Sequence, residues 1–388
     1  MRFVGLLGLT VAIVLTGCVG PVALHQAVLG YDESVGRLER ELLLLNIART
    51  HQRLPGHFSV TSSVTATFDY RANLGVFATI LPHLALYGVN ANAGVAESPT
   101  MTILPVQGEE FSSRILTPLD EKKFQSLAFQ GMPIDLVMRL MSDGLDLYRP
   151  DGTLERLVAN WPARREQYEE FRRRVLHLAW LQANRQLFVS SLIFDETVRA
   201  TLAIPLSGGE ALGALERGWR PIGPQVYELT KPTVGRVTIT NYDPRTLGNA
   251  ERRALNAQAA ANERNVVLVD IRPEHPGGEF PLSGAIRLRS FNLILVFLAS
   301  GIHETPEIDV ARDPRTGAGG PNPRRTLGIE VTDSAPAASV PQVAYQGKYY
   351  SVAETAWDRE AFKLFHQLFQ MSVTESARAG VPAITISK

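Results

Sequence analysis

The chain has one cysteine among 388 residues, Cys18. No disulfide can form within it, so an oxidising compartment adds nothing to its fold. It also lacks net charge: 39 lysines and arginines balance 39 aspartates and glutamates. No overall field draws it to nucleic acid, and no nucleic-acid partner is expected. The one dense basic run, Arg172-Arg173-Arg174, sits beside Glu166, Glu169 and Glu170 and reads as a solvated helix face. Past the N-terminus, no apolar run reaches the roughly eighteen residues of a membrane helix. The longest, 291–299, reads as a buried helix.

What the N-terminus does have is a layout. Arg2 is the only charge before a short apolar run, 3–15, which ends at Leu15-Thr16-Gly17-Cys18. A basic start, an h-region too short to span a bilayer and small residues at its end make a signal peptide. Leu-Thr-Gly-Cys resembles the lipobox of bacterial lipoproteins; the resemblance covers only roughly the first twenty residues. It implies removal of residues 1–17, a diacylglycerol thioether on Cys18 and acylation of the new N-terminus. Val19 stands where an aspartate tends to hold such lipoproteins in the inner membrane. Its absence implies the outer membrane, periplasmic face, with outer-membrane lipid as the partner of acylated Cys18. A lipidated Cys18 leaves no thiol for catalysis or zinc, and several acyl chains anchor stably where one does not.

The remaining pattern predicts an α+β fold: a long N-terminal helix, an alternating β-hairpin, a helical middle and a mixed α/β C-terminal part. Three segments are expected: 1–17, 18–150 and 151–388, divided at the turn Arg149-Pro150-Asp151-Gly152. A short tether at 20–23 precedes a helix over 24–54, with Leu38, Leu42 and Leu45 at helical spacing. Then the period changes to two. Phe58, Val60, Val64, Ala66 and Phe68 alternate with serines and threonines, and Tyr87, Val89 and Val95 alternate with glycines and asparagines over 85–95. Opposing Phe58 with Val95 aligns the apolar faces of a hairpin joined by a connection over 71–84. Each segment has about the length of a tilted transmembrane strand, so these eight residues are the candidate membrane hairpin.

Three short helices follow to about residue 141. Helices are expected over 153–160 and 162–187. Paired strands are expected at 188–194 and 198–204, and further strands at 225–229, 235–240 and 266–271. Between them, 249–261 reads as a helix. Residues 311–325, rich in Gly, Pro and Arg, read as a mobile loop. Asp358 is positioned to cap the last helix, and 383–387 could add an edge strand.

Chemistry is harder to find. Leu206-Ser207-Gly208-Gly209-Glu210 looks like the signature of ABC-type ATPases, but the chain has no Gly-x-x-x-x-Gly-Lys-Ser/Thr loop to hold phosphates. Ser207 with Glu210 three later reads as a helix capping box. The eight histidines show no i, i+4 pair, and His303-Glu304 precedes Pro306, where a zinc-protease helix would break. His177 lies among apolar neighbours and reads as a packing residue. Tyr345, Tyr349, Tyr350 and Trp357 suit either a stacking platform or core packing, and packing is the commoner use. No catalytic, cofactor-binding or metal residue is assigned, and no cofactor is expected.

Three readings remain. One is a non-enzymatic lipoprotein with a structural or assembly role in an envelope complex. Another is an oligomeric export or pore subunit that inserts the hairpin in the outer membrane. A third is a periplasmic hydrolase or ligand-binding protein.

Overall fold

A computed structural model describes the backbone of residues 2–81, 84–204, 206–337, 340–373 and 384–387. It describes side chains in those ranges apart from 2–24, 26–27, 60–102 and 384–387. Helices and mixed sheets share the chain, so the class is α+β.

Helix α1 runs from Arg2 to His51. It passes through the tether expected at 20–23. Pro21 removes one backbone hydrogen bond there, and the leucine- and alanine-rich turns on either side carry the helix across. Its last turns bury Leu43, Leu44, Ile47 and Ala48. Strands β1 (Phe58–Leu81) and β2 (Leu84–Val106) form one antiparallel ribbon. A short helix, Gly108–Phe111, runs into a π turn, Ser112–Leu116. Helices α2 (Glu121–Phe129) and α3 (Ile134–Met141) complete the short helical run. Asp120 caps α2, its carboxylate accepting the Lys123 N–H at 2.9 Å.

The central sheet starts with β3 (Ser142–Tyr148) and β4 (Leu154–Ala159), a hairpin whose turn is Arg149–Gly152. A helix was expected over 153–160. The segment is instead an edge strand, exposed at four positions and buried at Val158, so its polar residues mimic a helix face. Helix α4 (Arg165–Ala183) packs behind it. Strand β5 (Phe188–Thr201), helix α5 (Gly208–Glu216), the two-residue β6 (Arg220–Pro221) and β7 (Val226–Thr240) build a long arm. The sequence suggested two short strands turning at Asp195-Glu196. They are one strand, paired along its length with β7. Asp195 is exposed in mid-strand, where its charge meets water and ends nothing.

Helix α6 (Asn249–Ala260) then crosses over to β8 (Val266–Ile271), which runs parallel to β7, and β9 (Leu282–Leu288) completes the sheet. Strand order is β4-β3-β9-β8-β7-β5, with β6 on the outer part of β7. The pattern did not reveal β9, because Ser283-Gly284 interrupts it. A Cβ on Gly284 would lie 2.3 Å from the Asp146 carbonyl oxygen, so the residue that hides the strand is the one that lets β3 approach.

Helix α7 (Phe291–Ser300) is buried, with Ser290 as its cap. Strands β10 (Ile329–Thr332), β11 (Gln342–Tyr345) and β12 (Lys348–Val352) form a small sheet in the order β10-β12-β11. Gln346 and Gly347, both at positive φ, make the tight turn between its last two strands. Helix α8 (Ala356–Val373) follows. Its cap is Thr355, whose hydroxyl oxygen accepts the Asp358 N–H at 3.0 Å; Asp358 itself, expected as the cap, accepts the Gly328 N–H at 2.6 Å. Strand β13 (Ile384–Ser387) pairs with β2 at residues 100–103. Ala383 lies outside the described residues. The largest core gathers the end of α1, helices α3, α4, α7 and α8, and the inner strands; a smaller one lies between α6, β5 and β8.

Candidate functional site

The ribbon leaves the body from a fixed root. Asn46 Oδ1 accepts the His57 N–H at 2.7 Å, and Asn46 Nδ2 donates to the His57 carbonyl at 2.8 Å. The Phe58 ring is buried against Phe111, Phe291 and Phe369, with centroids 5.8, 6.0 and 6.1 Å away. Leu104 and Val106 close the other strand into the same interior. The helix that would carry the lipid and the strand that starts the ribbon are thus joined at one point.

The register departs from the expected one. Phe58 opposes Val106, not Val95, and Val95 opposes Tyr70. The connection expected over 71–84 is strand almost to its end; its apolar content was strand content. Pro82 and His83 lie outside the described residues. The register also shifts between Thr61 and Ser63, leaving Ser62 as a bulge. One extra residue inverts the parity of everything beyond it. Phe58 and Val60 therefore fall on the side opposite Val64, Ala66 and Phe68, and belong to the root, not to the distal face.

Beyond the bulge one face is apolar but for Glu97, and the other is polar up to about Gly75 and Asn90 and apolar at the tip. Even positions of β1 share a face with odd positions of β2: Val64, Ala66, Phe68, Tyr70, Leu74, Val76 and Ile80 with Tyr87, Val89, Val95, Met101 and small residues between them. Glu97 is the only charge on that face. The other face carries Ser63, Thr65, Thr67, Asp69, Arg71, Asn73, Asn90, Asn92, Ser98 and Thr100, and towards the tip Phe77, Leu81, Leu84 and Leu86. Between Arg71 and Glu97 the chain has no Asp, Glu, Lys or Arg. Since Arg71 opposes Gly94 and Glu97 opposes Phe68, the charges of both strands stop within three ladder positions of each other. That charge gap was the readable signal for Tyr70, Leu74, Val76 and Ile80, which period-two matching over 58–68 missed.

A second concentration of polar groups lies inside the body. Arg172 is buried and forms an ion pair with the buried Asp135. The guanidinium beside Asp135 holds its carboxyl below the usual range, against the upward push of burial, the larger of the two single effects. Arg139 donates to the carbonyls of Pro323, Arg324 and Arg325 and lies 3.7 Å from Glu307. Glu307 also accepts from the Tyr168 hydroxyl at 2.8 Å and from Thr326. Arg289, fully buried, donates to the carbonyls of Arg139, Leu140 and Asn160, and burial pushes its pKa down to about 10. An opening beside Glu307 and Arg325 has a volume of about 10 Å³, no more than one water needs. The carboxylates are engaged by arginines, hydroxyls and backbone, so the cluster fastens elements. It ties α3 and α4 to residues 322–326, and so secures the end of the Gly/Pro/Arg-rich segment 311–325.

Comparison with known proteins finds no matching family model, no similar curated protein and no similar solved structure. The remaining assignments rest on the residues themselves.

Ser207 and Glu210 form the capping box read from the sequence: the Ser207 N–H and hydroxyl both donate to Glu210 Oε2, at 2.9 and 2.7 Å. His177 packs. Its Nε2–H donates to the Gly277 carbonyl at 2.9 Å, Nδ1 meets the Thr316 hydroxyl at 3.2 Å, and burial lowers its pKa. Tyr350 is buried, with His51 Nδ1 and Gln52 Nε2 each 3.0 Å from its hydroxyl. Trp357 donates to the carbonyls of Arg325 and Thr326. Tyr350 is therefore core, with Tyr345 and Trp357 packed against it, and only Tyr349 lies on the other side of β12, half-buried. Among the described residues no group of three or more His, Cys, Asp or Glu could hold a metal, and no helix is long and apolar enough to cross a membrane. Cys18 lies in α1, and its side chain is outside the described set.

Proposed function

We propose that this is a non-enzymatic envelope lipoprotein, anchored by acylated Cys18 to the periplasmic face of the outer membrane. In this reading it enters that membrane with the distal ribbon as one subunit of an oligomeric pore or export assembly. The observation that carries it is the ribbon's register, which makes one face apolar along the whole distal length and confines the charges of both strands to the root side of Arg71 and Glu97. Residues 72–81 span about 30 Å extended, or about 21 Å at a tilt near 45°, close to the apolar band of outer-membrane barrels. Tyr70 and Tyr87 stand towards the two ends of that span, where barrels carry aromatic girdles.

The anchor agrees in length. Cys18 precedes Asn46 by 28 helical residues, about 42 Å. Ala72 follows Phe58 by 14 strand positions, about 46 Å. Lipid and ribbon therefore reach the same distance from their shared root. One ribbon has two open edges, which hydrocarbon does not tolerate, so several copies must close a barrel. Strand β13 covers β2 only at residues 100–103, leaving its distal edge to a neighbour.

Single cysteines at positions 89 and 90, in lipidated protein in vesicles, test the reading. A bilayer-embedded quencher should reach a probe at 89 and spare one at 90. Equal, shallow quenching at both, with a monomeric detergent extract, would return the protein to a purely periplasmic structural role.

A further inference from the structure

The arm built from β5 and β7 ends in a surface that nothing in its own chain covers. On α5, Leu212 and Leu215 are 61% and 51% exposed, and Ala214 is turned inward. Leu212, Leu215 and Glu216 stand at i, i+3 and i+4, so they form one stripe. Among the described residues no hydrogen bond or ion pair holds the Glu216 carboxylate. Ile204 beside them is 76% exposed.

The arm's root carries the complement. An open cavity of about 370 Å³ lies between the end of α2 and the inner part of β5, lined by the apolar Phe129, Phe188, Ile193 and Pro244 and, on its polar side, by Arg252 and the ion-paired Asp243 and Arg245. Phe129 is 70% exposed and Ile193 48%. Arg252 enters this apolar wall with no carboxylate partner; Nη1 donates to the Ile193 carbonyl, and the buried Nε has no partner. A leucine pair with a free carboxylate thus faces outward at one end of the arm. A partly apolar hollow, with a guanidinium that has no carboxylate partner among the described residues, opens at the other. Within one chain they cannot meet, because Ile193 and Thr201 alone are about 26 Å apart along β5.

We propose that the arm tip of one copy seats in the root cavity of the next, with Leu212 and Leu215 against Phe129 and Ile193, and Glu216 on Arg252. The contact joins two different surfaces, so it is head-to-tail, and the barrel required above closes it into a ring. It rests on the multi-copy reading above and names the contact that assembles it outside the bilayer.

The test is cross-linking of detergent-extracted, full-length lipidated protein with a short bismaleimide. Leu212→Cys and Phe129→Cys variants are examined separately and mixed. The mixture should give a cross-linked dimer at least tenfold above either variant alone, and the double variant should give a ladder. Glu216→Arg and Arg252→Glu should each lower the yield severalfold, and their combination should restore it. A dimer in Leu212→Cys alone would mean tip-to-tip pairing and overturn the proposal. A ring-sized extract with no 212–129 product would also overturn it, leaving the multi-copy reading standing; a monomeric extract would overturn both. If a bilayer-embedded quencher reaches a probe at position 212 in vesicles and no 212–129 product forms, the tip's occupant is lipid and the proposal falls.

Discussion

Asn46 satisfies both backbone groups of His57, accepting from its N–H and donating to its carbonyl. Asn46→Ala would leave both without a side-chain partner in a partly buried place. We expect a loss of about 1–3 kcal/mol in denaturant unfolding, as for other orphaned polar groups. Hydrogen exchange should show lost protection at His57 with little change in the central sheet. Unchanged exchange there would mean that Phe58 alone holds the root.

Arg172→Met removes the partner of a buried carboxylate. The expected loss is about 3–5 kcal/mol, the range for breaking one side of a buried ion pair. Adding Asp135→Leu should recover part of it, because no uncompensated charge then remains. A double variant no better than Arg172→Met would show that packing around Asn322, not charge, sets the effect.

Acid should loosen the junction between α1 and the body. His51 is held below its ordinary pKa, first by burial and then by His303, whose Nδ1 lies 3.2 Å from His51 Nε2; Glu304, paired with Arg53, pulls weakly the other way. His177 is lowered by burial as well. For a histidine kept neutral by folding, the unfolded chain binds the proton more readily. The stability it contributes is therefore complete above pH about 6.5 and is lost as pH falls below that. His51→Gln should flatten the slope of stability below pH 6.5 without removing it, since His177 remains. An identical slope would exclude His51.

Gly284→Ala should disturb the middle of the central sheet, because the new Cβ meets the backbone of β3 and not a movable side chain. Overpacking of this kind costs about 1–3 kcal/mol, read from the shift in thermal midpoint. A wild-type midpoint would show that β3 and β9 can part at no cost.

Cys18→Ser should leave the precursor at full length and free of acyl label. Mass spectrometry that finds an unmodified Cys18 in the mature protein would remove the anchor and the location it implies.

The ribbon was legible because strict alternation survives in sequence; its register was not. Pro82 suggested a break, and no Asn-Gly or Asp-Gly pair marked the turn, so the strands were cut short and matched to the wrong partners. The cap at Ser207 was legible because it needs only neighbours in sequence. The Arg139, Arg172 and Glu307 cluster was not, since its members lie as much as 186 residues from the groups they bind. Arg172 read as surface because its neighbours in sequence are charged, whereas α4 turns it inward.

The bulge at Ser62 makes the ribbon a counting device. Losing one codon between Phe58 and Val64 would turn Thr65, Thr67, Asp69 and Arg71 to the side that Val64, Phe68 and Tyr70 now hold, while β2 kept its own alternation. Losing two codons from each strand would merely draw the ribbon in by about 7 Å and keep its faces. Length variants of this protein should therefore differ by even numbers of residues in each ribbon strand, whatever else drifts in the sequence between.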